Sequence, residues 1–141
     1  MFCSKILVAF NDSDIAKKSL EKAVELAKTN SAIEIDVLFV AERPKAPYMV
    51  EEALDRLQES IYKYGETILA EAKDAVSTID NPIRFIEEEG PAYKVILEHA
   101  KENNSDLIIM GSRGLSGVKE FLGSVSHYVI QHSPVPVLII K

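Results

Sequence analysis

Gly111-Ser112-Arg113-Gly114-Leu115-Ser116-Gly117, followed by Gly123-Ser124, is the stretch on which the reading of this chain turns. It comes directly after the apolar run Asp106 to Met110 and holds four of the six glycines. Glycines at the end of a parallel strand let the backbone turn sharply and present unpaired N–H groups to an anion. The positive end of the next helix then adds to that attraction. The segment therefore reads as strand, phosphate cradle and helix in succession.

Working outward, five short apolar runs alternate with segments of helical period. The runs are Lys5 to Phe10, Ile33 to Ala41, Pro82 to Glu87, Asp106 to Met110 and Val135 to Ile140. Several are continuous rather than alternating, which suits strands covered on both faces of a parallel sheet. Between them, Ala16, Leu20, Ala23, Val24 and Ala27 fall on one helix face, with Ser13 or Asp14 as its cap. After Pro47 a longer helix carries Leu54, Leu57, Ile61, Tyr64, Ile68, Ala72 and Val76 at intervals of three and four. Gly65 within it costs about 1 kcal/mol relative to Ala. A third helix begins with Pro91 in its first turn and buries Val95, Ile96 and Ala100, and a fourth runs from Ser124 to Gln131. This βαβαβαβαβ order implies right-handed crossovers and a doubly wound sheet with helices on both faces. In that class a ligand sits beyond the C-terminal ends of the strands, where the strand order reverses. The Asn11-Asp12-Ser13 turn and the glycine loop then face each other across one crevice.

The 141 residues, 47% of them hydrophobic, suit one domain spanning 1–141. A net charge of −6, from 22 acidic and 16 basic residues with scattered lysines, gives no basic face for nucleic acid. The single cysteine, Cys3, rules out an internal disulfide and reads as a small buried side chain. No apolar segment reaches the ~20 residues that span a bilayer, and no signal-peptide profile opens the chain. A cytoplasmic protein without membrane or nucleic-acid partners is the expectation.

Other nucleotide signatures fail on inspection. There is no GxGxxG after the first strand, no Walker lysine, and no G-x-S-x-G elbow. What remains resembles the universal stress protein family in its nucleotide-binding branch. The resemblance rests on Lys5-Ile6-Leu7-Val8-Ala9 with Ser13, on Asp106 through Gly114, on Gly123-Ser124-Val125-Ser126-His127, and on Ser133-Pro134-Val135-Pro136-Val137-Leu138-Ile139-Ile140. It implies a single-domain, Rossmann-like α/β fold, a five-stranded parallel sheet in order 3-2-1-4-5. It also implies ATP, or alternatively AMP or a cyclic nucleotide, between strands one and four, and a role as regulator or sensor of stress. By position, Gly111, Gly114, Gly123 and Ser124 would hold ribose and phosphates, and Ala9, Asn11, Val40 and Met110 the adenine and ribose end. Ser13, Arg113 and Val125 complete the implied set. Two departures stand out. Asn11 occupies a position where the family pattern has aspartate, and the eight residues Leu115 to Leu122 make the glycine spacing one residue shorter than that pattern.

Each position also has a plainer reading. The glycine loop is alternatively a tight connection that binds nothing, leaving a dimeric interaction module. Asn11-Asp12-Ser13 serves as helix cap, ligand contact or both. Arg113 either neutralises a phosphate or is solvated, and Ser126 reads as a capping, solvent-facing residue. His127 lies about 100° around the helix from Ser126 and cannot easily activate it. His99 and His132 read as isolated surface or helix-end histidines, with no triad or zinc site. Without a general base beside an attacking water, no catalytic residue is assigned, and ATP hydrolysis or autophosphorylation would be slow. Glu87-Glu88-Glu89 reads as a solvated lead-in to the third helix, and Mg²⁺ would arrive with the phosphates. Pro136 marks the last strand as an edge. Its apolar length, Val135 to Ile140, and the family's habit of pairing there imply a homodimer.

Overall fold

The strands form where the continuous apolar runs stand: β1 Lys5–Ala9, β2 Glu34–Ala41, β3 Ile83–Glu89, β4 Leu107–Gly111 and β5 Val137–Ile140. Four helices alternate with them: α1 Asp14–Ala27, α2 Glu51–Ala75, α3 Ala92–Glu102 and α4 Ser124–His132. This computed structural model describes residues 3–113 and 122–141, so Gly114 and the spacing that depends on it lie outside the described residues. All strand pairings are parallel, in the order β3-β2-β1-β4-β5. The fold is the expected doubly wound five-stranded sheet. Val8 aligns with Val37 on one side and Ile109 on the other, and this register fixes the central three strands.

Because side chains alternate across a strand, the sheet feeds two cores. Ile6, Val8, Ile35, Val37 and Phe39 pack beneath α1 and α2, while Leu7, Leu38, Ile108 and Met110 pack beneath α3 and α4. Ile6, Leu7 and Val8 are completely buried. At about 1.5–3 kcal/mol per buried aliphatic side chain, the central strands anchor the molecule. Cys3 is buried, as expected, and burial pushes its thiol up.

Local chemistry sets the ends of the elements. Ser13 caps α1, its Oγ accepting from Ala16 N at 3.2 Å. Pro91 stands at the N-cap of α3, one position before the helix rather than within its first turn. Pro136 precedes β5, and its carbonyl accepts from Ile108 N at 3.0 Å. β5 pairs only with β4 among the described strands and is an edge.

Three sequence readings are corrected. Glu87-Glu88-Glu89 is the end of β3, not a solvated lead-in to α3. Strand alternation sends Glu88 toward α3 and Glu87 toward α2. His99 is not a surface histidine: it is 3% exposed and held between Asp36 and Glu88. Ser126 is buried, not solvent-facing. Gly65, read from sequence only as a helix-weakening residue, has a steric reason. A Cβ there would lie 2.4 Å from the Phe39 ring and 2.3 Å from Glu87 Oε2.

Candidate functional site

Strand order reverses between β1 and β4, and a crevice of about 590 Å³ opens at their C-terminal ends. Ala9, Asn11, Ser13, Val40, Met110, Gly111, Arg113, Gly123, Ser124 and Val125 all line it. Every implied site residue within the described part of the chain thus converges on one cavity. Glu42, Ile15, Ile61 and Ser126 line it too and were missed as site residues. Glu42 directly follows β2, as Ala9 ends β1 and Gly111 ends β4, and its place at a strand's C-terminal end was the available signal.

Three helix N-termini surround this crevice, each with N–H groups that no intrahelical acceptor satisfies. That of α1 is closed by Ser13, and Asn11 Oδ1 accepts from Ser13 N at 2.9 Å to lock the turn. That of α3 is closed by Glu42, whose Oε1 accepts from Ala92 N at 2.6 Å. The α4 terminus has Gly123 at its N-cap and no side-chain cap. Among the described residues, protein acceptors therefore fill two of the three seats and none fills the one at Ser124 and Val125. Arg113 and Glu42 are the two charged residues among the lining residues described. They give the crevice a cationic side near β4 and an anionic side near β2.

The glycines here serve space rather than unusual dihedrals. Gly90 is the one described glycine with positive φ, at 137°. A Cβ on Gly111 would lie 2.7 Å from Ile15 Cγ2, so Gly111 lets α1 close over the strand end. A Cβ on Gly123 would lie 3.3 Å from Arg113 Cα, so the two sides of the loop are nearly in contact. Gly123 N donates to Ser112 O at 2.6 Å, and Ser126 Oγ lies 2.9 Å from Ser112 O and 3.0 Å from Gly123 O. Ser126 therefore staples the uncapped helix end to the strand. His127 is exposed while Ser126 is buried, so the two do not form a nucleophile–base pair.

A second polar cluster lies at the opposite, N-terminal half of the sheet. Asp36 of β2 receives a fork from Arg84, Nε to Oδ1 at 2.8 Å and Nη2 to Oδ2 at 2.6 Å, and faces His99 Nε2 at 2.9 Å. Burial pushes Asp36 up. The bonds from His99 and Arg84, with the charges of Arg84 and Lys5, outweigh it and hold the carboxyl well below the usual range. The Asp36 bond raises His99 above its ordinary value, burial opposes this, and Glu88 at 3.3 Å from Nδ1 adds to the rise. No group of three or more His, Cys, Asp or Glu among the described residues is arranged to hold a metal ion. No described helix is long and apolar enough to cross a membrane.

The residues present fit a small anionic ligand. The cavity lies within the ~300–1,000 Å³ usual for such sites, its walls are largely apolar, and its one uncapped helix end stands near its one described cation. Fold and crevice together define a doubly wound α/β protein with a ligand-sized cavity at the switch point. The sequence pattern of the universal stress protein family matches residues 3–141, and the chain belongs to that family. Universal stress protein YxiE of Bacillus subtilis is 39% identical over 147 aligned residues, covering 98% of this chain and 99% of its own. Among solved structures, the protein MJ0577 superposes with a TM-score of 0.88 at 27% identity, covering 100% of this chain and 97% of its own. A family member from Arabidopsis thaliana, At3g01520, solved with AMP bound, gives a TM-score of 0.72 at 25% identity, covering 98% and 91%.

Proposed function

We propose that this protein binds an adenine nucleotide in the β1/β4 crevice, with ATP as the ligand, and works as a nucleotide-dependent regulator in the stress response. The observation that carries the reading is the helix N-terminus at Ser124 and Val125, the one of the three around the crevice that no described side chain caps, facing a cavity that also holds Arg113. Phosphate oxygens would take the seat that Ser13 and Glu42 occupy on the neighbouring helices, with Arg113 neutralising charge. Met110, Ala9 and Val40 would flank the base. Asn11 Oδ1 is engaged with Ser13 N, so its amide nitrogen is the group free to meet the ligand. A divalent ion would enter with the phosphates, which it prefers to an all-protein cage. The AMP in the Arabidopsis relative supports the adenine class.

Ser126 gives its hydroxyl proton to backbone carbonyls, and no base among the described residues bonds to it, so the reading is of a binding protein rather than an efficient hydrolase. Leu138 on the β5 edge is 40% exposed and Ile130 on α4 is 41% exposed. Both support a homodimer closed through the β5 edge.

Calorimetric titration tests the nucleotide reading. ATP should bind saturably, and Arg113→Ala should weaken ATP more than AMP, because the lost charge faces the distal phosphates. Gly123→Val, whose side chain meets Arg113 Cα, should weaken both by about tenfold or more, the equivalent of ~1.4 kcal/mol. Equal affinities for wild type and both variants would overturn the assignment. Sedimentation of Leu138→Asp, expected to be monomeric, checks the dimer.

A further inference from the structure

The middle of α2 rests on an acid. Glu87 projects from edge strand β3 toward the helix, and both its carboxyl oxygens are shielded from solvent with no hydrogen-bond partner. The slot that holds them is roofed by the bare backbone of Gly65 and walled by the Phe39 ring; any side chain at Gly65 would collide with both. The charged groups facing it are Glu66 from α2 and Glu89 from β3, and β2 contributes the uncharged Phe39. No described cation compensates it. Burial, reinforced by those two acids, raises the carboxyl to about 7. A neutral carboxyl is tolerable in such a slot, whereas an ionised one is uncompensated and is driven toward water.

The same turns of α2 reach the crevice. Ile61 lines it. The Tyr64 hydroxyl donates to Asp12, which lies between the lining residues Asn11 and Ser13. Movement of α2 at Gly65 is therefore movement of one wall of the site.

We propose that Glu87 is a proton-operated latch: protonated, it seats α2 on the sheet, and ionised, it leaves the Gly65 slot and withdraws Ile61 from the crevice wall and Tyr64 from Asp12. The link to ligand affinity rests on the nucleotide reading above, while the latch itself does not. The direction follows from the raised folded-state value. The stabilisation is fully present below the ordinary carboxyl value of 4.5 and is lost as pH rises through about 7, so acidification tightens the helix.

Hydrogen exchange of the amides of residues 61–69, corrected for the intrinsic pH dependence of exchange, reads the latch directly. Wild-type protection should fall by about tenfold between roughly pH 6 and 8, the equivalent of one unit of differential protonation. Glu87→Gln, neutral at every pH, should stay protected throughout. Glu66→Gln and Glu89→Gln change exposed residues and keep the fold in place, and each should move the midpoint toward acid by removing a repelling charge. A flat wild-type profile, a step that persists in Glu87→Gln, or midpoints unmoved in the other two variants would each overturn the latch. AMP titrations at the same pH values separate the two readings. Affinity that weakens with the exchange step supports the coupling, and affinity that ignores the step overturns it. If AMP does not bind at either pH, the nucleotide reading fails and the coupling with it, while exchange still decides the latch.

Discussion

Replacing Asp36 by Asn removes the charge on which Arg84, His99 and Lys5 converge while leaving the side-chain volume almost unchanged. The two partners do not count equally. Arg84 is 54% exposed, so its ion pair is screened and contributes roughly 0–1 kcal/mol despite the good fork geometry. His99 is buried with a carboxylate at each ring nitrogen, an arrangement that suits the doubly protonated ring, and its charge-assisted bond to Asp36 contributes about 1.5–3 kcal/mol. The loss for Asp36→Asn is therefore about 2–4 kcal/mol, a fall in Tm of roughly 10 °C for a chain of this size. Urea denaturation followed by circular dichroism measures it. The pH dependence carries the diagnostic sign. His99 is raised in the folded state, so its contribution is complete below its ordinary 6.5 and disappears as pH climbs through the raised value. The difference between wild type and Asp36→Asn should accordingly shrink above neutrality. A loss below about 0.5 kcal/mol, or a deficit that stays constant across that range, would refute the account of His99 as a buried imidazolium.

Two further outcomes test the packing around the site. Gly65→Ala should destabilise by up to roughly 2 kcal/mol in the same denaturation assay, since overpacking against Phe39 and Glu87 costs about 1–3 kcal/mol and helix propensity returns ~1; a gain in stability would sink the close-approach argument. Ser126→Ala should cost about 0.5–1.5 kcal/mol, because Ser112 O keeps its bond from Gly123 N, and it should weaken nucleotide binding several-fold by loosening the α4 end. An unchanged Tm together with unchanged affinity would show that the staple is not needed.

Local signals made the fold legible. Ile6-Leu7-Val8 and Leu107 through Met110 are apolar on both sides, as only central parallel strands are, and Gly111 and Gly123 punctuate the chain where the loop starts and ends. That the ten described candidate residues share one cavity was legible for the same reason: they sit at strand ends and helix starts, which topology brings together. What escaped depended on distant pairing. Asp36 lies 63 positions from His99, and a lone acid inside an apolar run and a lone histidine on a helix give no sign of each other. Glu87 and Glu88 looked equivalent as part of an acidic run. Strand alternation gives one an imidazole partner and the other a slot with none. Ser126 was misjudged because its burial comes from the Ser112 carbonyl, which belongs to the preceding strand–loop segment.

The Glu42 carboxylate on the α3 N-terminus has a consequence for how any ligand is oriented. Had that helix end been left open, the crevice would offer a symmetric pair of anion seats and could accept a molecule end for end. With Oε1 2.6 Å from Ala92 N, one seat is taken by a charge of the same sign as a phosphate. The site is thereby polar along its length. A molecule with a single charged end has one way to enter, and a molecule charged at both ends, such as a dinucleotide, would meet repulsion at its second terminus.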